Sequence, residues 1–260
     1  MGVNNAFCRD CMEAMREFPD GFFDLAVVDP PYGAGFTEGG GCKGWFTKYH
    51  ENDSQFVQVE RERERKAWNR FGQRFEKYKT LHVRSEEEGL NLSSEEATGR
   101  GNQKKIIAWD TAPGKEYFDE LFRISRDQII WGGNYFPLPP TRCFLIWRKL
   151  SISENFSMAM AEYAWTSFND NAKVFEYAPQ DSKRFHPTQK PVALYEWIFK
   201  RYAKEGYKIL DTHLGSGSSR IAAYDAGLDF WGYEIDKTYF NLQEERFAKH
   251  TAQLNLFLEE

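Results

Sequence analysis

Two stretches of the chain carry residue types that can do chemistry together. The first is Leu25-Ala26-Val27-Val28-Asp29-Pro30-Pro31-Tyr32-Gly33, an apolar run that ends in a carboxylate, two prolines and an aromatic ring. Neither proline can donate a hydrogen bond and each fixes its own φ, so the segment is held in one shape. The Asp29 carboxylate and the Pro30 carbonyl then form an acceptor pair beside the flat face of Tyr32. A rigid turn with a capping aspartate is the alternative reading. The second stretch is Asp211-Thr212-His213-Leu214-Gly215-Ser216-Gly217-Ser218-Ser219, with Glu234 about 20 residues further on. Glycines at a strand-to-helix turn let backbone approach a bound nucleotide-like group, and an acid after the next strand can accept from two ribose hydroxyls. This pattern predicts a nucleoside-containing cofactor, with NAD as one contender. Against NAD, Ser219 and Arg220 stand where the third glycine of a dinucleotide fingerprint belongs.

These stretches need strands to present them. Short continuous apolar runs are the pattern of parallel strands buried on both faces. Such runs occur at Phe22 to Val28, Gln128 to Trp131, Cys143 to Trp147, Lys208 to Leu210 and Phe230 to Tyr233, with further strands at Gly2 to Phe7 and Ala159 to Ser167. Helical spacing of apolar residues recurs at Met12 to Phe18, Gly114 to Ser125, after Pro191, at Arg220 to Ala226 and at the C-terminal end. The alternation predicts an α/β protein: a largely parallel sheet with helices on both faces. In such sheets ligands sit past the carboxyl ends of the strands, which is where Asp29, the Gly-rich turn and Glu234 fall. Phe7, Trp131 and Trp231 read as core residues, and Gly132-Gly133-Asn134 as a turn whose Asn134 could line the site.

The 260 residues suffice for one large domain or one domain with an insertion. No apolar run is long enough to span a bilayer, and Met1-Gly2-Val3-Asn4-Asn5-Ala6 has neither the regions of a signal peptide nor a myristoylation pattern. A cytoplasmic protein with no membrane partner is expected. Cys8 and Cys11 have CxxC spacing, but Cys42 and Cys143 provide no second pair, so free thiols are expected and no metal site. A net charge of −5 argues against wholesale nucleic-acid binding while leaving room for a local basic surface. One stretch stands apart from the α/β pattern. Residues 36–105 begin Gly-rich, turn helix-compatible and basic between Arg61 and Lys79 with Trp68, Phe71, Phe75 and Tyr78 interleaved, and end acidic and Ser-rich. We read them as a helical and irregular insertion in a catalytic domain formed by residues 1–35 and 106–260.

Asp29-Pro30-Pro31-Tyr32, then His186-Pro187-Thr188-Gln189-Lys190-Pro191, then Asp211 with Gly215-Ser216-Gly217, resemble in kind and order the β-class, circularly permuted DNA adenine-N6 methyltransferases. The resemblance implies a Rossmann-like, seven-stranded methyltransferase sheet and S-adenosyl-L-methionine as cofactor. It implies that Asp29, Pro30, Pro31 and Tyr32 are catalytic. It places Asp10 and Cys11 at the cofactor's adenine, Thr188, Gln189 and Lys190 at its methionine end, and Glu234 on its ribose, with Asp29, Asp211, Gly215, Ser216 and Gly217 also lining it. Asp29 and the Pro30 carbonyl would accept the two hydrogens of an adenine amino group, and a base in a duplex must be flipped out to reach them and stack on Tyr32. No metal is required. Arg61, Arg65, Lys66, Arg70, Arg74 and Lys77 become candidate DNA contacts, with a solvated helix face as the alternative. The chain departs from the family between Tyr163 and His186. Only a short connection, Asn169 to Arg184, occupies the usual place of a target-recognition region, so recognition would fall to residues 36–105, to a second subunit of a homodimer, or to both. His213 and Leu214 also differ from the family's more frequent phenylalanine and small residue. Bacterial or phage origin follows from the same resemblance. A cytosine-N4 enzyme and a catalytically silent DNA-binding or partner subunit are the competing functions.

Overall fold

A computed structural model describes residues 2–33, 111–152, 159–178, 184–186 and 188–258. The chain divides into two units, Met1–Tyr32 with Pro113–Glu260, and Gly33–Ala112. The segment read as an insertion, with Arg61, Arg65, Lys66, Arg70, Arg74 and Lys77, lies outside the described residues.

The first unit is built on one sheet. Its strands are β1 (Asn4–Phe7), β2 (Phe23–Val28), β3 (Ser125–Trp131), β4 (Phe144–Lys149), β5 (Ala161–Thr166), β6 (Lys173–Tyr177), β7 (Lys208–Asp211) and β8 (Asp229–Tyr233). They lie in the order β1-β8-β7-β2-β3-β5-β4-β6. Only β5 runs antiparallel to its neighbours. The described helices are α1 (Cys11–Met15), α2 (Lys115–Ile124), α3 (Val192–Tyr202), α4 (Ser218–Asp225) and α5 (Lys237–Leu258).

The central strand shows why its sequence is apolar without alternation. Successive side chains of a strand point to opposite faces, and here each face is covered. Leu25 and Val27 join a core with Trp131, Leu194, Ile198, Ala222 and Phe230, beneath α3 and α4. Ala26 and Val28 join a second core with Met15, Phe118, Leu121 and Ile124, beneath α1 and α2. Burying a side chain of this size stabilises the fold by roughly 1.5–3 kcal/mol, so the two cores fix the strand register firmly. Leu25 pairs with Asp127 of β3 and Ile209 of β7, which brings the ends of β2 and β7 side by side.

The structure corrects two expectations. The sheet has eight strands among the described residues, not seven, because β6 forms inside the stretch from Asn169 to Arg184, read only as a short connection. It is an edge strand pairing with β4 alone, from Leu145↔Lys173 to Lys149↔Tyr177. An edge strand buries little, so Lys173-Val174-Phe175-Glu176-Tyr177 needs no continuous apolar run; Phe175 packs on Trp197 of α3 at 5.3 Å. Phe7 is not core. It is 38% exposed and stacks on Tyr233 at 5.4 Å, at the end of β1. Trp131 is fully buried, and Trp231 packs between Phe22 and Phe23.

Candidate active site

The order β1-β8-β7-β2 sets four strand ends in a row. Asp10 follows β1, Glu234 follows β8, the Gly-rich turn follows β7 and Asp29 follows β2. With neighbouring strands about 4.8 Å apart, the row spans roughly 15 Å, the length of an extended nucleoside-bearing molecule.

At one end of the row Asp10 caps α1, its carboxylate accepting from the Met12 amide at 2.7 Å. Cys11 is half-buried; burial, with Asp10 nearby, pushes its thiol up to about 12, which makes it a poor nucleophile. Cys8, Cys11 and Cys143 are free thiols, and among the described residues no group of three or more His, Cys, Asp or Glu side chains is arranged to hold a metal.

Glu234 is held by backbone. Its Oε2 accepts from the Gly215 amide at 2.9 Å and its Oε1 from the Asp236 amide at 2.8 Å. Each carboxylate oxygen keeps a further lone pair, so Glu234 is oriented and still able to accept. Burial raises its pKa. The Gly-rich turn needs its glycines. Gly215 has φ +50 and Gly217 φ +72, the left-handed region in which other residues are strained. Asp211 lies beneath the turn and braces it, accepting from the His213 amide at 3.0 Å and from the Ser219 hydroxyl. Burial pushes its carboxyl up to about 7. Ser216 is buried, its hydroxyl on that of Ser218 at 3.1 Å. The Tyr117 hydroxyl, the Thr212 hydroxyl and the His213 Nδ1 form a short chain at 2.6 and 2.9 Å. Burial holds His213 down at about 4, so it is neutral at physiological pH.

The loop before α3 packs onto this turn. His186 is buried with its ring edge-on to Tyr239 at 4.4 Å, and a Cβ on Gly215 would lie 3.2 Å from that ring. Burial, followed by Arg184 and Lys190, holds His186 down at about 4. The exposed Thr188 sets its hydroxyl 3.2 Å from the His186 Nδ1. Gln189 is buried and accepts from the Phe185 amide at 3.4 Å. These residues shape the loop.

Lys190 reaches the tip of β2. Its ammonium pairs directly with Asp29 Oδ2 and lies 3.1 Å from Glu162 Oε2 and 5.3 Å over the Trp131 ring. Burial works to lower the Lys190 pKa, but Asp29 and Glu162 outweigh it and hold the ammonium above its ordinary value. The other oxygen of Asp29, Oδ1, accepts from the Tyr32 hydroxyl at 2.7 Å. Asp29 is thus fixed through both oxygens, with a lone pair left on each.

Tyr32 lies flat on Tyr135, ring centres 4.8 Å apart and planes 13° apart, with Phe136 edge-on at 6.2 Å. Gly132, at φ +67, makes room for it: a Cβ there would sit 2.1 Å from the ring of Tyr32. Asn134, read as a candidate lining residue, is exposed; Gly132 and Tyr135 are the members of that turn that reach Tyr32. Sequence reasoning missed Tyr135, Tyr117, Tyr195 and Glu162. Tyr195 is buried on α3, where burial, with the charge of Asp211 nearby, raises its pKa well above the ordinary value. Glu162 had a visible signal, a charged residue inside an apolar strand.

The row therefore offers an acceptor beside stacked rings at one end and an oriented carboxylate with a tight Gly-containing turn at the other. The aligned stretch of the Type II methyltransferase M2.DpnII of Streptococcus pneumoniae is 41% identical over 61 residues, 24% of this chain and 23% of that protein. For the Type II methyltransferase M.HpaI of Haemophilus parainfluenzae it is 35% over 65 residues, 25% of this chain and 21% of the relative. Each match thus spans less than a quarter of the relative's length. The structure of PvuII DNA methyltransferase (cytosine-N4-specific) superposes with a TM-score of 0.50 at 11% identity, covering 99% of this chain and 94% of that one, and shares its fold. A family model described as DNA methylase matches residues 23–245, from the start of β2 through both loops and into α5, and the chain belongs to that N6/N4 DNA methylase family.

Proposed function

We propose that the chain transfers a methyl group from S-adenosylmethionine to the exocyclic N6 amino group of an adenine flipped out of DNA, at a specific sequence. The observation that carries this reading is the state of Asp29. It stands at the tip of the central strand, doubly anchored by Tyr32 and Lys190, beside the Pro30 carbonyl and an aromatic stack.

The row of strand ends fits the cofactor. Gly215 and Gly217 give the turn its left-handed backbone, and Glu234 is oriented by two backbone amides with lone pairs to spare for ribose hydroxyls. Asp10, Cys11, Thr188, Gln189, Asp211 and Ser216 complete the set proposed to surround it. When bound, S-adenosylmethionine supplies an electrophilic methyl group. Everything else is asked of the protein. An adenine amino nitrogen is a poor nucleophile, because its lone pair is delocalised into the ring. Asp29 and the Pro30 carbonyl accept its two hydrogens, favour a pyramidal nitrogen and aim the lone pair. The fixed carboxylate then stabilises the positive charge that develops on nitrogen. Pairing with Lys190 makes Asp29 an electrostatic anchor. Tyr32 provides the stacking face for the extruded base.

Residues 36–105 are proposed to contact and select the DNA, through Arg61, Arg65, Lys66, Arg70, Arg74 and Lys77 among others, with a homodimer as the arrangement that supplies a second contact surface. A bacterial or phage protein of the cytoplasm, working in restriction and modification, fits this reading. Incubation with tritiated S-adenosylmethionine and unmethylated DNA tests it. Label in DNA, abolished by D29A, is the expected result; label no greater than that of D29A contradicts it.

A further inference from the structure

Behind Asp29 runs a line of alternating charge, of which the reaction as described above uses Lys190 alone. Lys190 touches Asp29 and Glu162; Glu162 in turn places Oε1 2.6 Å from the Lys149 ammonium. The side chains of Lys190 and Lys149 are 3% and 9% exposed, and that of Glu162 is 23%. Trp131 lies under Lys190 and Trp147 under Lys149, at 5.3 and 5.2 Å. Burial works to raise the Glu162 pKa, yet Lys190 and Lys149 outweigh it and hold the carboxyl at about 2. Charges this well shielded from water act on one another and on the site far more strongly than surface charges do.

The four groups come from four elements: the tip of β2, the loop before α3, β5 and β4. As ion pairs, Asp29, Lys190, Glu162 and Lys149 sum to zero. Remove the charge of Glu162 and the sum becomes +1, while Lys190 is left to Asp29 alone. This matters because of the charge the reaction creates. As the nitrogen lone pair forms the new C–N bond and the C–S bonding electrons leave with sulfur, a unit of positive charge moves onto the amino nitrogen. It departs afterwards as a proton to solvent. A net positive cluster beneath that nitrogen opposes the step, and a neutral one does not.

We propose that Glu162 is a positioning residue of methyl transfer: by sharing the Lys190 ammonium with Asp29 and pairing Lys149, it holds the charge beneath the reacting amine at zero. The inference rests on the amino-methylation reading and goes beyond it, since Glu162 and Lys149 belong to neither the catalytic nor the cofactor residues of that reading.

The test compares wild type, E162Q and the charge-balanced double variant E162Q/K149M by single-turnover methyl transfer, with cofactor affinity measured by calorimetry and folding by thermal melt. E162Q is expected to slow transfer tenfold or more with cofactor affinity within threefold of wild type. The double variant is expected to recover to within about threefold of wild type. E162Q at a wild-type rate, or a double variant as slow as E162Q, overturns the proposal. If E162Q alone does not fold, a folded double variant that is more than tenfold slower than wild type overturns it too. A wild-type chain that labels no DNA overturns the amino-methylation reading itself, and this proposal with it; an active wild type with an indifferent E162Q overturns the proposal alone.

Discussion

In the proposed reaction Asp29 carries the chemistry because of what is already attached to it. Tyr32 takes one oxygen and Lys190 the other, so the carboxylate cannot rotate when a base arrives. Orientation of this kind is worth several kcal/mol to a displacement reaction whose partners must align. The Lys190 contact was not legible in the sequence. Lys190 and Asp29 lie 161 residues apart, and the family resemblance assigned the lysine to the cofactor's methionine end. A lysine next to a proline in a loop gives no sign of which carboxylate it will meet. Histidine 186 shows another residue-scale effect. Its pKa is held at about 4 by burial, against about 6.5 in an unfolded chain. A lowered histidine pKa means that the unfolded state takes up the proton first. His186 therefore costs nothing above pH 6.5, and stability falls progressively as pH drops from there toward 4. At pH 5 the loss is about 2 kcal/mol. Replacing His186 with Gln removes this dependence, so the difference in melting temperature between wild type and H186Q should shift in favour of H186Q between pH 7 and pH 5. An unchanged difference across that range would show that His186 is not held neutral.

Elements decide where such residues meet. The ends of β1, β8, β7 and β2 were readable as strand ends because their apolar runs stop at charged or Gly-rich residues. The turn after β3 was readable only as a turn. Its function depends on Gly132, whose left-handed φ and missing Cβ let Tyr32 lie against the backbone and stack on Tyr135. G132A puts a methyl group into the Tyr32 ring and strains the backbone as well, at a cost of about 1–3 kcal/mol. The account expects methyl transfer to fall at least tenfold in G132A while cofactor affinity, set at the far strand ends, stays within threefold. Equal loss of both in a folded variant would mean that the turn supports the whole site and not Tyr32 in particular. β6 escaped notice for the opposite reason. An edge strand of five residues with neither a continuous apolar run nor a strict alternation resembles a loop until its partner strand is known.

At the scale of the molecule, the strand order makes one continuous ledge out of stretches from both ends of the chain. Sequence order alone shows only that Asp29-Pro30-Pro31-Tyr32 precedes the Gly-rich turn after Asp211; that they become neighbours follows from β2 pairing with β7. The overall charge of −5 places the burden of DNA contact on a local basic surface, and Arg61 to Lys79 is the basic stretch of the sequence. If those residues meet phosphates, each contact adds about 0.9 to the slope of log affinity against log salt. Neutralising Arg65, Lys66, Arg70 and Arg74 together should weaken DNA binding, flatten that slope and leave cofactor affinity unchanged; an unaltered slope would mark the stretch as a solvated face.

The central claim is methylation of an adenine amino group by the Asp29 site. Its most direct test is nucleoside mass spectrometry of DNA from cells that lack their own methylases and express either this chain or D29A. The account predicts N6-methyldeoxyadenosine with the wild-type chain and none with D29A. N4-methyldeoxycytidine in its place, or no methylated nucleoside at all, would contradict it.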